Sequence, residues 1–291
     1  MTAATGAGTE RRSEPLVGAT AAPRRIPTRR APLWSRPAAV WGRRRALGLL
    51  VSRDLKVRYA GSWLGWVWTV LEPLLMAGAY WVVFTQIFSR SAGEEPYIVF
   101  LLAGLLPWTW FNGALSEAAR ALRTDGKLIR STNVPRELWV LRVVLSKGVE
   151  FLFSLPVLAL FVVATGADVD WRIVLVVPAT LLLAMLLTGI GLLLAPLVVL
   201  VRDLERIVRI VLRLAFYASP VVYAVRDVPP AWEWLFALNP LAGIFELFRA
   251  GFFPELLDPS RVALSVGVSV VVLVLGWAVF ARLERTVLKE L

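Results

Sequence analysis

The chain contains no cysteine and no histidine among its 291 residues. Without cysteine, it can form no disulfide, supply no thiol nucleophile and offer no thiolate ligand to zinc. Without histidine, it lacks the usual general base, the Ser-His pair of many hydrolases and the commonest protein ligand of transition metals. We therefore expect no catalytic residues of these classes, no metal site and no cofactor on this chain.

What the chain has in excess is apolar surface and positive charge. Hydrophobic residues make up 58% of it, against roughly 45–50% in an ordinary soluble domain. The 32 lysines and arginines outnumber the 21 acidic residues and give a net charge of +11. The basic residues concentrate on one side of the apolar runs, so we expect no nucleic-acid partner. These features predict an all-α integral membrane protein.

Six apolar stretches are long enough to cross a ~30 Å hydrocarbon core at ~1.5 Å per residue. The fifth is the weakest candidate, because Arg209 and Arg213 lie near its start. The six predicted spans form one multi-pass transmembrane domain over residues 63–291. Their predicted bounds are about 64–88, 97–115, 143–165, 173–201, 207–225 and 262–281.

Two basic segments precede the first span. Residues 1–37 are rich in Ala, Thr, Gly, Pro and Arg and have no apolar periodicity, which predicts a disordered basic tail rather than a signal peptide. Residues 38–62 combine leucines at helical spacing with many arginines, the pattern of an amphipathic interface helix on an anionic membrane surface. Because most lysines and arginines lie on the side of both termini, the positive-inside rule places both ends in the cytoplasm.

The sequence contains no phosphate-binding loop. Its Gly126-Lys127 pair is preceded by Ala121 at the position where a Walker A motif needs its first glycine. Any nucleotide hydrolysis must therefore occur on another chain. The acidic residues between the spans show no spacing that selects one of them as a catalytic base, so solvated loop charges are the favoured interpretation.

A few residues inside the spans are candidates for lining a substrate channel. Glu72 lies about eight residues into the first span, where a carboxylate must face protein or water. It either lies at a pore or subunit seam, or pairs with an arginine or lysine at the cytoplasmic end. Lys147 and Glu150 share one helix face, which predicts a local ion pair. Aromatic rings could also stack on the apolar faces of sugars. The aromatic candidates are Trp81, Trp108, Trp110 and Phe111.

Two loops are further candidates for function. The loop at 116–137 mixes apolar residues at helical spacing with basic residues, which predicts either a short cytoplasmic helix that docks on a partner protein or an exposed connector. The segment 226–261 is too apolar for an ordinary outer loop. It predicts two short helices, broken at Asn239-Pro240, that either dip into the outer leaflet or pack as a lid on the helix ends.

Four motifs follow one another along residues 40–288. They are the run 53–59 with Leu71-Glu72-Pro73, the run 104–111, the stretch 128–135, and Asn239-Pro240 with Arg249. This ordered set resembles the ABC-2 type permeases that export polysaccharides, which are the transmembrane subunits of O-antigen (Wzm-like), teichoic acid (TagG-like) and galactan transporters. The long basic tail departs from the shorter members of that family and leaves its own role open.

The resemblance implies a homodimer of this chain that pairs with two copies of a nucleotide-binding ATPase, which binds ATP and Mg²⁺. A lipid-linked glycan would then move outward between the two permeases. The resemblance also implies that the interface helix and the coupling loop contact the ATPase. The coupling residues would be Arg53, Asp54, Arg58, Leu122, Arg123, Lys127, Leu128, Ile129 and Arg130. The outer gate residues would be Trp232, Trp234, Asn239, Pro240 and Phe245.

The favoured function is export of a lipid-linked polysaccharide across the bacterial cytoplasmic membrane, by a transport subunit that is not itself an enzyme. Three alternatives stay open from the sequence. An ABC-2 exporter of a drug or simple lipid would leave glycan export unchanged on depletion. A membrane-embedded glycosyltransferase would need an indispensable acid on the outer side and would work without ATP. A passive membrane scaffold would not stimulate an ATPase.

Overall fold

The computed structural model describes residues 35–83, 96–132 and 134–290. Residues 1–34 of the predicted tail and 84–88 of the predicted first span lie outside this described part. Within it, the regular elements are all helical. The α-helices are α1 (Ser35–Gly42), α2 (Arg44–Tyr59), α3 (Trp68–Trp81), α4 (Tyr97–Ala118), α5 (Ala121–Thr124), α6 (Gly126–Ser131), α7 (Glu137–Thr165), α8 (Val176–Leu200), α9 (Leu204–Ala218), α10 (Pro230–Ala237), α11 (Pro240–Arg249) and α12 (Pro259–Glu290).

Four helical stretches are long and apolar enough to cross a membrane. Three of them are α4, α7 and α12, which contain the predicted second, third and sixth spans. The fourth is α8 together with the 3-10 turn Trp171–Leu175 that precedes it. Pro107, Pro156 and Pro196 lie inside these helices without ending them. The all-helical membrane prediction is therefore confirmed for these four spans.

The main hydrophobic core follows α4. Most of the side chains of this helix are apolar and buried, apart from a polar strip at Thr109, Asn112 and Ser116. It packs against α3, α7, α8, α9 and α11. Its Phe100, Leu101 and Leu106 are among the largest fully buried side chains of the described residues. The helices around α4 therefore present their inner faces to one shared core.

The pair formed by α8 and α12 is packed through small residues. Gly189 faces Gly276, and a Cβ at residue 276 would collide with the backbone of residue 189. α12 also approaches α11 closely, where its fully buried Ser265 lies next to Gly243. Close backbone approach of this kind holds helices together in lipid, where the surrounding tails are as apolar as leucine.

The prediction of one helix over 207–225 is wrong at its C-terminal end. α9 ends at Ala218 after 15 residues, and Ser219 is extended. The cause is Pro220, because a proline disfavours helical backbone at the residue before it. A helix of 15 residues is ~22 Å long, which is shorter than a ~30 Å hydrocarbon core.

The segment before α3 consists of two helices instead of the single helix predicted over 38–62. α1 and α2 are separated at Arg43. Leu55 is buried where α2 packs on α7. After α2, Gly61 and Gly65 have positive φ angles of 77° and 48°, so the chain can turn sharply before α3 begins.

Candidate functional site

A cavity of about 610 Å³ lies between α3, α4, α7 and α9. Each helix lines it with one face, because the contributing residues recur three or four positions apart. From α3 and α7 these are Thr69, Glu72, Pro73, Met76, Tyr80, Lys147, Glu150, Phe151 and Ser154. From α4 and α9 these include Trp108, Thr109, Trp110, Asn112, Ser116, Arg209, Arg213, Phe216 and Tyr217. Aromatic rings, hydroxyls and charges of both signs therefore meet in one space.

Glu72 lies on the cavity wall with an exposed side chain. Among the described residues, none forms an ion pair or hydrogen bond with its carboxylate. The interpretation of Glu72 as a cytoplasmic carboxylate paired with an arginine or lysine therefore finds no partner in the described part of the chain.

Trp108 and Trp110 line the cavity but are largely buried, with exposed fractions of 6% and 4%. Trp108 packs on Phe111 with ring centroids 5.4 Å apart. Trp110 stacks on Phe151 at 5.1 Å, and its Nε1 donates a hydrogen bond of 3.0 Å to the carbonyl of Val144. Protein covers most of both indole faces, which leaves little ring area for a sugar.

The other two aromatic candidates do not line the cavity. Trp81 is exposed at the last residue of α3, and Phe111 is buried behind Trp108. Tyr80 and Tyr217, which the sequence reasoning missed, do line it. The signal for Tyr217 was present in the sequence, because it follows Arg209 and Arg213 at four-residue intervals on one helix face.

An ionic quartet closes one wall of the cavity. Arg58 of α2 holds Glu117 of α4 through two hydrogen bonds of 2.8 and 2.7 Å, and its Nε lies 2.8 Å from Glu150 of α7. Lys147 lies 3.2 Å from Glu117 and 3.0 Å from Glu150, so the predicted local pair is confirmed. Two cations and two carboxylates balance each other. Burial alone would lower the pKa of Arg58, but Glu117 and Glu150 raise it, so the guanidinium stays charged.

The quartet separates the cavity from a second hollow. We call this hollow, of about 350 Å³, the α2 pocket. Its lining includes two members of the quartet, Arg58 and Glu117, together with Asp54 and Arg142. Arg142 of α7 forms ion pairs with Asp54 of α2, at 2.5 Å, and with Asp125 at the α5–α6 junction. Burial raises the pKa of the Asp54 carboxyl, and the charge of Arg142 opposes that rise. Arg142 therefore fastens both α2 and the 116–137 loop to α7.

The predicted coupling residues divide into buried and exposed sets. Leu122 and Ile129 are fully buried in the chain's own core, against Trp139 and Phe280 among others. Leu128 is partly buried against the same core. The apolar face of the loop is thus already occupied and holds α5 and α6 in place. The charged residues that face outward are Arg53, Arg123, Lys127 and Arg130.

Arg249, at the end of α11, is the most deeply buried arginine of the described residues, with 2% exposure. Its guanidinium donates hydrogen bonds to the carbonyls of Pro220 at 2.7 Å, Val221 at 2.5 Å and Phe100 at 3.3 Å. It also lies 3.7 Å from the centroid of the Phe100 ring, a cation–π contact. No carboxylate among the described residues forms an ion pair with it, so backbone dipoles and this aromatic face stabilise the charge.

Several carbonyls from the end of α9 to Val222 accept hydrogen bonds from side chains. Besides the two that Arg249 binds, Asn239 Nδ2 donates to the carbonyl of Ala218 at 3.0 Å, and Tyr97 Oη donates to that of Val222 at 3.1 Å. Backbone that leaves a helix at membrane depth needs internal partners, since lipid offers none. We call Tyr97, Asn239 and Arg249 the capping triad. Neither Tyr97 nor this role of Arg249 was predicted from the sequence.

The residues predicted for an outer gate lie in two different environments. Trp232 and Trp234 of α10 are exposed, whereas Phe245 of α11 is fully buried. Asn239 is the N-cap of α11 and accepts a hydrogen bond of 2.9 Å from Leu241 N, and Pro240 occupies the first turn. α11 is therefore an anchored element, and α10 is the one that presents apolar surface.

Comparison with known proteins gives consistent matches. The family model described as ABC-2 type transporter matches residues 45–253. The O-antigen export system permease protein RfbA of Klebsiella pneumoniae is 30% identical over 239 residues, which cover 82% of this chain and 92% of the relative. RfbA of Myxococcus xanthus is 32% identical over 238 residues, which cover 81% and 90%. The polysialic acid transport protein KpsM of Escherichia coli is 24% identical over 212 residues, which cover 70% and 80%.

The matched family segment begins in α2 and ends shortly after α11. It therefore includes the helices that line the cavity, the ionic quartet and the capping triad. The similarity extends over most of this chain and most of each of these relatives. The chain therefore belongs to the ABC-2 type transporter family.

Proposed function

We propose that this chain is the permease subunit of an ABC transporter that exports a lipid-linked polysaccharide across the bacterial cytoplasmic membrane. The observation that carries the proposal is the similarity, over about four fifths of the chain, to permeases named for O-antigen export. The cavity supports it, because its wall combines the rings of Tyr80 and Tyr217 with hydroxyls and with the amide of Asn112, the groups that suit a ring with apolar faces and polar edges.

We propose that two copies of the chain form the passage. A cavity of about 610 Å³ is of the size that holds a drug-sized molecule, and it is too small for a polymer. A helix is ~10 Å wide, so six helices leave little lumen in one copy. A passage between two copies supplies the missing width without further chains.

We also propose six crossings with both termini in the cytoplasm. The four long apolar helices account for four of them. The apolar run 64–88, to which α3 belongs, and α9 with the capped segment after it would supply the other two. The positive-inside rule supports this orientation, because the basic α1, α2 and 116–137 segments then share one side with the C-terminus.

Depletion of the chain in its source bacterium tests the proposed function. The expected result is loss of one surface polysaccharide together with accumulation of its lipid-linked form inside the cell, both reversed by the intact gene. Quantification of the glycan in membrane extracts and on the cell surface measures this. An exporter of a drug or simple lipid would leave both pools unchanged. A glycosyltransferase would lower the lipid-linked pool, and either result would refute the proposal.

The energy would come from ATP hydrolysed with Mg²⁺ on a partner ATPase that contacts Arg53, Arg123, Lys127 and Arg130. These side chains face outward on α2, α5 and α6. Arg123 is the least free of them, since it pairs with Glu205 at 3.1 Å. Lys127 and Arg130 lie three residues apart on α6 and present adjacent positive charges.

Charge reversal at Lys127→Glu with Arg130→Glu is expected to weaken binding of the ATPase about thirtyfold, because each reversed exposed charge weakens an interface by about 1 kcal/mol. A pull-down at low salt measures it. Arg282→Glu reverses an exposed charge near the C-terminus. It is the matched control and should retain the ATPase. If both variants retain the ATPase equally, α6 does not contribute to the contact with the ATPase.

A further inference from the structure

The α9 face of the cavity carries two arginines. Arg209, Arg213 and Tyr217 occur at four-residue intervals, so their side chains form one row along the helix, and all three line the cavity. The adjacent face of α9 bears exposed Ile210 and Leu214. The helix therefore turns a cationic row to the cavity while an apolar face lies beside it.

Among the described residues, the other charges of the cavity leave Arg213 as its unpaired cation. Lys147 and Glu150 neutralise each other within the quartet, and Arg209 pairs with Glu205 at 2.9 Å. Neither Arg213 nor Glu72 forms an ion pair within the described ranges, and no pair between the two is formed. A guanidinium about nine residues, or ~14 Å, along a helix that enters the membrane is costly, so a polar partner is expected there.

The seam between α3 and α9 lets a membrane-anchored molecule approach this row. The two helices meet through Tyr80 and Phe216, whose ring centroids are 6.3 Å apart. Leu75 of α3 is exposed outside the cavity, as are Ile210 and Leu214 of α9. A ligand with an apolar tail can therefore keep the tail beside these surfaces while its head enters the cavity.

From this arrangement we infer that Arg213, with Arg209 beside it, binds the phosphate group of a membrane-anchored ligand. Arginine presents a planar fork of donors that matches phosphate oxygens, and its attraction is stronger where water is scarce. The source of the phosphate is assigned to the lipid carrier of the glycan, which rests on the proposed function. A bilayer phospholipid carries the same chemistry, and the experiment separates the two.

The test measures binding of radiolabelled farnesyl diphosphate to the full-length chain in phosphatidylcholine nanodiscs, with farnesol as the uncharged probe. The expected result is that farnesyl diphosphate binds at least tenfold more tightly than farnesol, and that Arg213→Gln removes this preference. Arg213→Lys should retain part of it. Arg206→Gln is the matched control, because Arg206 is an exposed arginine of α9 that does not line the cavity.

Nanodiscs that contain phosphatidylglycerol identify the source. If these nanodiscs leave farnesyl diphosphate binding unchanged, the result supports the lipid carrier as the source of the phosphate. If they compete with it in the wild type, and this competition is lost in Arg213→Gln, the phosphate site is supported with a bilayer lipid as its source. Equal binding of farnesyl diphosphate and farnesol, or equal binding by wild type and Arg213→Gln, would overturn the inference. None of these outcomes depends on export, which the depletion experiment tests separately.

Discussion

Replacing Arg249 by leucine is expected to abolish export and to lower the free energy of unfolding by about 2–6 kcal/mol. The change leaves the carbonyls of Pro220 and Val221 buried without donors, and each such group costs about 1–3 kcal/mol. A loss of this size is a large part of the 5–15 kcal/mol that stabilises a typical protein. Denaturation of the purified chain in detergent and surface glycan in a complemented null strain measure the two effects.

A graded series separates the capping role of Arg249 from its charge. Tyr97→Phe removes the hydroxyl that donates to the Val222 carbonyl, so we expect a loss of about 0.5–1.5 kcal/mol and partial export. Gly104→Ala keeps the guanidinium but places a Cβ against it and against the Val221 carbonyl, so it should resemble Arg249→Leu. Arg202→Leu, at an exposed arginine before α9, is the control and should leave both measurements unchanged. Wild-type stability of Arg249→Leu would contradict the capping role.

The long spans could be predicted from the sequence because their signal is local. In α8, the stretch Val176–Leu200 contains no charged residue, and its length alone matches a bilayer. α9 could not be bounded in the same way. Its apolar residues continue past Ala218, and only Ser219 and Pro220 mark the end of the helix. A hydropathy profile measures how apolar a segment is, whereas the end of this helix is set by the backbone restriction that Pro220 imposes on Ser219.

The candidate site was only partly predictable, because its key contacts join residues far apart in the chain. Glu72 stood out as a carboxylate within an apolar run, and it does lie at the cavity. The pairing of Arg58 with Glu117 joins residues that the sequence does not bring near each other, and so does the capping of Val221 by Arg249. Leu122 was assigned to the ATPase contact, but it is buried in this chain's own core. An apolar helix face has the same sequence pattern whether it packs on its own protein or on a partner.

Reversing the charge of Arg58 to glutamate is expected to reduce export at least about tenfold. The variant would place a third carboxylate beside Glu117 and Glu150, with Lys147 as the only cation of the quartet. Removing one partner of a buried ion pair costs about 3–5 kcal/mol, and these partly exposed side chains should approach the lower value. Because Arg58 is the only member on α2, the reversal releases α2 from α4 and α7 at this point.

The rescue variant inverts all four charges of the quartet and tests whether the charge pairing itself matters; it combines Arg58→Glu, Glu117→Arg, Lys147→Glu and Glu150→Lys. Every contact of the quartet then again joins opposite charges, so we expect this fourfold variant to recover a substantial part of the lost export. Lys56→Glu reverses an exposed charge on the same helix and should have little effect, which excludes a general response of α2 to negative charge. The ATPase activity of the purified complex should persist in Arg58→Glu while export fails, since the quartet lies between the α2 pocket and the cavity and not at a nucleotide site. If the fourfold variant exports no better than Arg58→Glu alone, the quartet is a packing feature and does not link α2 to the passage.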